Sequence, residues 1–378
     1  MPPQLTEAWG IAYLQILIVL LIFFFGIPSI VFQVTLPEEM RRIVNKYMKP
    51  YLRMIGEVAL LITLFALYFV WGLHPCIIGV PIWKDWVGSI IITLSLIFLI
   101  VFWWIYLLKL SRTGIVNYLE VKIYKRFGEE GSKKHEELTD LITLGERSEA
   151  GHEKEIVLEA MSRLIIKLQK REGYKGGGLE YILRDFDEIV TSKDKPGNES
   201  DFQLSVGILE DIINRLSSQN FPGVSDEIFV YWSLKKIGKK AVELNLSKQV
   251  VLRVITIASS NPDVLFEIGY SAFNSGDYFS ALAALSKLES LALPGKQKKP
   301  KVNDQLFGLM AHFWKGGGSA RRRVESFLET YGDQFPDIDQ ILGQAVDAHY
   351  KDARYDTADK LMEMRANLAK SKTKGKKS

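Results

Sequence analysis

The stretch PDVLFEIGYSAFNSGDYFSALAALSKLESLALP, residues 262–294, decides how the rest of the chain is read. Its apolar residues recur at steps of three and four on either side of Gly276, the pattern of two amphipathic helices joined by a tight turn. Leu265, Ile268, Gly269 and Ala272 belong to the first helix, and Ala281 and Leu285 to the second. Small residues there let two helix backbones approach, while Leu and Phe fill the seam with a neighbour.

Similar fragments recur outward from this unit: Leu144-Gly145, Ile237-Gly238, Ile268-Gly269, Phe307-Gly308 and Leu342-Gly343, with Ser148, Ala241, Ala272, Ala311 and Val346 three residues after the glycine. The last four glycines lie 31, 39 and 35 residues apart, a spacing suited to two-helix repeats. The 262–294 unit resembles a tetratricopeptide repeat, with partial copies at 303–331 and about 338–368. That resemblance implies an α-solenoid of helical hairpins that binds a protein partner on the face formed by its first helices. In this chain that face would carry Phe266, Tyr270, Phe273, Asn274, Gln305 and His312. The alternative for the same side chains is packing against an adjacent repeat.

Residues 1–108 have another character. No charged residue lies between Glu7 and Glu38, between Glu57 and Lys84, or between Asp85 and Lys109. Each gap holds an apolar run long enough for a helix to cross about 30 Å of hydrocarbon. Membrane spans are therefore expected at about 9–33, 55–73 and 86–108. The expected fold class is all-α, with three transmembrane helices followed by a cytoplasmic α-solenoid. The loop after the first span is rich in Lys and Arg and the next holds only Lys84. The positive-inside rule then places the N-terminus outside and the C-terminal part in the cytoplasm, in a plasma or inner membrane. The expected domains are 1–108 in the membrane, 109–260 helical, 261–368 repeats, and 369–378 a disordered basic tail.

Around 36–52, Met40, Ile43, Val44 and Tyr47 share one helical face, opposite Arg41, Arg42 and Lys49. Such a helix can lie among anionic headgroups, held by Arg41, Arg42, Lys46, Lys49 and Arg53, or pack on the rest of the protein. In the second span, Gly56, Ala59, Thr63 and Ala66 form a small-residue packing stripe. Glu57 is either an intramembrane functional group or a partner of Arg53 one turn earlier.

Chemistry finds little footing. The single cysteine, Cys76, excludes an internal disulfide. Lys175-Gly176-Gly177-Gly178 and Lys315-Gly316-Gly317-Gly318 lack phosphate-loop spacing, and His135, His152, His312 and His349 lack metal-ligand spacing. No cofactor or metal is implied, and a net charge of +4 does not point to nucleic acid. The expectation is a non-enzymatic membrane protein whose spans are candidates for homo-oligomer contacts and whose repeats recruit a cytoplasmic protein. An oligomeric channel controlled by the helical domain is the alternative.

Overall fold

The computed structural model describes residues 37–48, 111–129, 136–170, 178–218, 224–293, 300–335 and 337–375. The expected spans lie outside these residues, as do Lys49, Arg53, Gly56, Glu57, Ala59, Thr63 and Ala66. Among the described residues every regular element is helical, and no helix is long and apolar enough to cross a membrane. The chain divides into two compact units, residues 1–123 with 139–144, and residues 124–138 with 145–378.

In the first unit, α1 (Glu38–Ile43) runs into a π-helical turn, Val44–Met48. Met40, Ile43 and Val44 are buried, so the apolar face of this segment is withdrawn from solvent. α2 (Arg112–Glu129), as far as Ile123, contributes buried Ile115, Val116, Leu119 and Ile123, and α3 (Glu136–Glu146), from Thr139 to Leu144, contributes buried Leu141 and Ile142. The Asp140 carboxylate on α3 accepts from Lys46 Nζ at 2.9 Å and from the Tyr47 hydroxyl at 2.7 Å. Arg42, largely exposed, reaches its other oxygen at 3.7 Å. Of the five residues expected at headgroups, Lys46 is thus bonded within the protein, while Arg41 has a buried Nε without a hydrogen-bond partner.

The second unit continues with α4 (His152–Gln169), α5 (Gly178–Phe186), the short α6 (Glu188–Thr191) and α7 (Glu199–Ser218). Then follow α8 (Val224–Glu243), α9 (Lys248–Ile257), α10 (Pro262–Asn274), α11 (Tyr278–Ala292) and α12 (Pro300–Gly316). α13 (Gly318–Tyr331), α14 (Ile338–Lys351) and α15 (Tyr355–Gly375) complete it. The last helix carries on through 369–375, where the sequence reading expected a disordered tail.

Local chemistry sets the helix ends. Asn198 and Asp201 cap α7 reciprocally: the Asn198 side-chain oxygen accepts from the Asp201 N–H at 3.0 Å, and Asp201 accepts from the Asn198 N–H at 2.8 Å. Asn261 caps α10 through the Val264 N–H, with Pro262 at the first helical position, and Asp277 caps α11 through the Ser280 N–H.

Packing in this unit alternates along the chain. α5, α8, α10, α12 and α14 pack successively on one another and form one row. α4, α7, α9 and α11 form a second row in the same manner. The recurring glycines explain the close spacing of the first row. A Cβ on Gly238 would lie 2.7 Å from Ile268 of α10, and one on Gly269 would lie 2.7 Å from Leu309 of α12. One on Gly308 would collide with the His349 ring of α14. Each glycine is the hollow that receives the next helix.

A further repeat lies in the helix ends. At the end of α10 the Gly276 N–H donates to the Phe273 carbonyl and the Asp277 N–H to the Ala272 carbonyl, with Gly276 at φ 80°. Asn245 and Leu246 make the same pair of bonds after α8, with Asn245 at φ 51°, and Ala353 and Arg354 make it after α14, with Ala353 at φ 57°. These paired bonds satisfy carbonyls left over at a helix C-terminus. Residues on both sides of position 260 belong to this one unit.

Candidate functional site

Where α8, α10, α12 and α14 meet, a charged cluster is built around Glu267. Its carboxylate lies 3.2 Å from Lys235, 3.2 Å from Lys239 and 2.9 Å from Arg354. Burial opposes the charge of Glu267, but the three cations outweigh it and lower its pKa. Arg354 also donates to the Gln305 side-chain oxygen at 3.1 Å and lies over the Phe266 ring at 4.8 Å. Gln305 in turn donates to Asp263 at 2.9 Å, and Asp263 is paired with Lys301. One guanidinium at the end of α14 thereby ties three helices through charge-assisted hydrogen bonds and a ring.

Beside it runs a seam of aromatic and imidazole rings. Phe266 stacks on Tyr270 and meets His349 at 5.1 Å; Tyr270 meets His312 edge-on at 4.6 Å; Phe273 meets Phe313 at 4.8 Å. Such offset and edge-on pairs match ring quadrupoles. Lys360 has only protons to give, so it donates to His312 Nδ1 at 3.2 Å, and the proton on Nε2 goes to the Thr357 hydroxyl at 2.9 Å. Burial, with Lys360 adding to it, lowers the His312 pKa to about 4. His349 donates from Nε2 to the Asp304 carbonyl at 3.0 Å, which leaves its buried Nδ1 as an acceptor without a partner. Burial lowers its pKa as well.

The six residues expected to meet a partner are therefore brought together, but mostly inward. Phe266, Gln305 and His312 are buried between helices, Tyr270 and Phe273 are half-buried in the ring seam, and Asn274 is exposed at the end of α10. Sequence reasoning did not single out Glu267, Arg354, Lys235 or Lys239. Their signal was weak, because a charged residue on an amphipathic helix reads as solvated until the facing helix is known.

A second centre was also missed. Lys154 of α4 is fully buried, and its ammonium donates to the carbonyls of Gly145 at 2.8 Å, Glu146 at 3.2 Å and Ile189 at 2.6 Å. Those three bonds use every proton of the ammonium group. Burial lowers its pKa to about 8, with Asp201 and Glu146 acting the other way. Asp201, which caps α7, also accepts from the Gly151 N–H at 2.9 Å and so joins the starts of α4 and α7. Asp187, buried and 2.9 Å from Lys236, is pushed up to about 6, chiefly by burial. This cluster closes helix ends. Among the described residues no group of His, Cys, Asp and Glu is arranged to hold a metal ion.

Comparison of the chain with protein-family models, with curated proteins and with solved structures matches nothing.

Proposed function

We propose that the chain is an integral membrane protein whose second unit is an α-solenoid platform for a protein partner. The observation that carries this reading is the alternation of two helix rows, with the same helix-end bonds after α8, α10 and α14. A stack in which each hairpin touches mainly its neighbours extends a surface without needing a central core, and such stacks serve recognition. The tetratricopeptide resemblance of residues 262–294 points the same way. The membrane part of the reading rests on the three charge-free runs, each long enough to span.

The test is purification of the full chain in lipid nanodiscs, compared with a chain lacking residues 261–368. Retention in carbonate-washed membranes, and a co-purifying protein that disappears with the deletion, are expected. Release of the chain by carbonate would overturn the membrane part. A partner retained by the shortened chain would overturn the platform.

A further inference from the structure

The shared helix-end bonds align the hairpin of α10 and α11 with that of α14 and α15, residue for residue. Gly276 corresponds to Ala353 and Asp277 to Arg354, so Tyr270 corresponds to Asp347, Phe273 to Tyr350 and Leu285 to Met362. In both hairpins an aromatic residue near the end of the first helix meets one at the start of the second. Phe273 and Tyr278 lie 5.4 Å apart, and Tyr350 and Tyr355 lie 5.9 Å apart.

The two faces differ in what covers them. α12 packs on both α10 and α11: His312 meets Tyr270, Phe313 meets Phe273, and the missing side chain of Gly316 makes room for the Phe273 ring. Leu285 of α11 is completely buried, whereas its counterpart Met362 is 42% exposed. Tyr350, the counterpart of the half-buried Phe273, is 38% exposed, while Tyr355 at 59% is as open as its counterpart Tyr278 at 53%. At this open face Asp347 stands where Tyr270 stands in the covered one, and Asp359, which accepts from the Tyr350 hydroxyl at 2.8 Å, stands where Leu282 does. The last hairpin thus keeps the apolar footprint of a helix-docking face and adds carboxylates to it.

We propose that the outward face of the last hairpin, made of Tyr350 and Met362 with Asp347 and flanked by Tyr355 and Asp359, docks a basic amphipathic helix of a partner protein. The footprint calls for a helix because α12 lies on Tyr270 and Phe273, the equivalents of Asp347 and Tyr350, with Gly316 over the Phe273 ring. The carboxylates call for lysine or arginine beside that helix's apolar stripe. This inference rests on the platform reading and names the face and the partner chemistry.

The probe is a fluorescein-labelled peptide with the sequence of α12, Pro300–Gly316, extended by lysines, titrated against the full chain in nanodiscs and followed by anisotropy. Saturable binding is expected, weakened about tenfold or more by Tyr350→Ser with Tyr355→Ser, and likewise by Asp347→Lys with Asp359→Lys. A peptide extended by glutamates should bind more weakly than the lysine form. Circular dichroism of the variants checks that these surface changes leave the helices intact. Absence of saturable binding, or equal affinity of the parent and both variants, overturns the inference. If these variants also leave a co-purifying partner in place while the 261–368 deletion removes it, the partner docks elsewhere on the array and only the platform reading survives.

Discussion

The beginning and the end of the second unit solve the same packing problem with different chemistry. Around Gly145 and Glu146 at the end of α3, and around α4, α6 and α7, buried charge closes helix ends: one ammonium takes three carbonyls, and one carboxylate takes the N–H groups at the starts of two helices. Around α10, α12 and α14, glycine hollows and rings set the helix spacing, and neutral imidazoles fill the seam. The difference teaches where each region is brittle. A buried charge network fails when one member is removed, because its partners stay buried and unpaired. A hollow fails when something is added.

The sharpest break is expected at the first region. Lys154→Met withdraws the ammonium from the carbonyls of Gly145, Glu146 and Ile189, of which that of Gly145 keeps the Ser148 N–H, and should cost about 3 kcal/mol, read by denaturant unfolding. Hydrogen exchange followed by mass spectrometry should show the loss centred on α3, α4 and α6. Gly308→Ala, which drives a methyl group into the His349 ring, should cost about 2–3 kcal/mol and expose α12 and α14 instead.

Mild acid should move the two regions in opposite directions. His312 stays neutral in the folded chain down to about pH 4, whereas the unfolded chain takes up that proton near the usual 6.5. Stability from this group is present above about pH 6.5 and is lost as the pH falls towards 4, by up to about 3 kcal/mol. His349 acts in the same direction, and the raised carboxyls of Asp304 and Glu289 offset part of it. Asp187, held at about 6, prefers its proton when folded, so the first region gains stability as the pH falls from about 6 towards the usual 3.8. Exchange rates compared at pH 7 and pH 5 measure both; uniform destabilisation of the two regions would contradict the contrast. His312→Gln should flatten the response of the second region alone.

Smaller effects complete the series. Gly276→Ala meets no neighbour, yet φ 80° strains any side chain, so a cost of about 1 kcal/mol is expected from thermal unfolding. Tyr350→Ser with Tyr355→Ser removes one ring pair and the hydroxyl bond to Asp359 on an open face, and should cost about 1 kcal/mol.

The glycine series was legible in the sequence because a residue without a side chain is conspicuous at a regular interval, and those glycines do mark helix-to-helix contacts. The helix-end bonds were not legible, because the residues that turn to positive φ after α8, α10 and α14 are Asn245, Gly276 and Ala353, which share no side-chain chemistry. Lys154 was invisible for a different reason. A lysine in a helix reads as solvated, and only the carbonyls of Gly145 and Ile189, distant along the chain, make its burial tolerable. The same limit affects the partner face: the tetratricopeptide resemblance points to Phe266 and His312, but which side of α10 a neighbour occupies is a property of the stack.

The glycine hollows also make the array non-interchangeable. Gly238 is fitted to Ile268, Gly269 to Leu309 and Gly308 to His349, so each hairpin carries a socket cut for one particular successor. Moving a hairpin to another place in the order would bring a leucine or an imidazole to a socket shaped for isoleucine. The order of the modules is therefore written into their contacts.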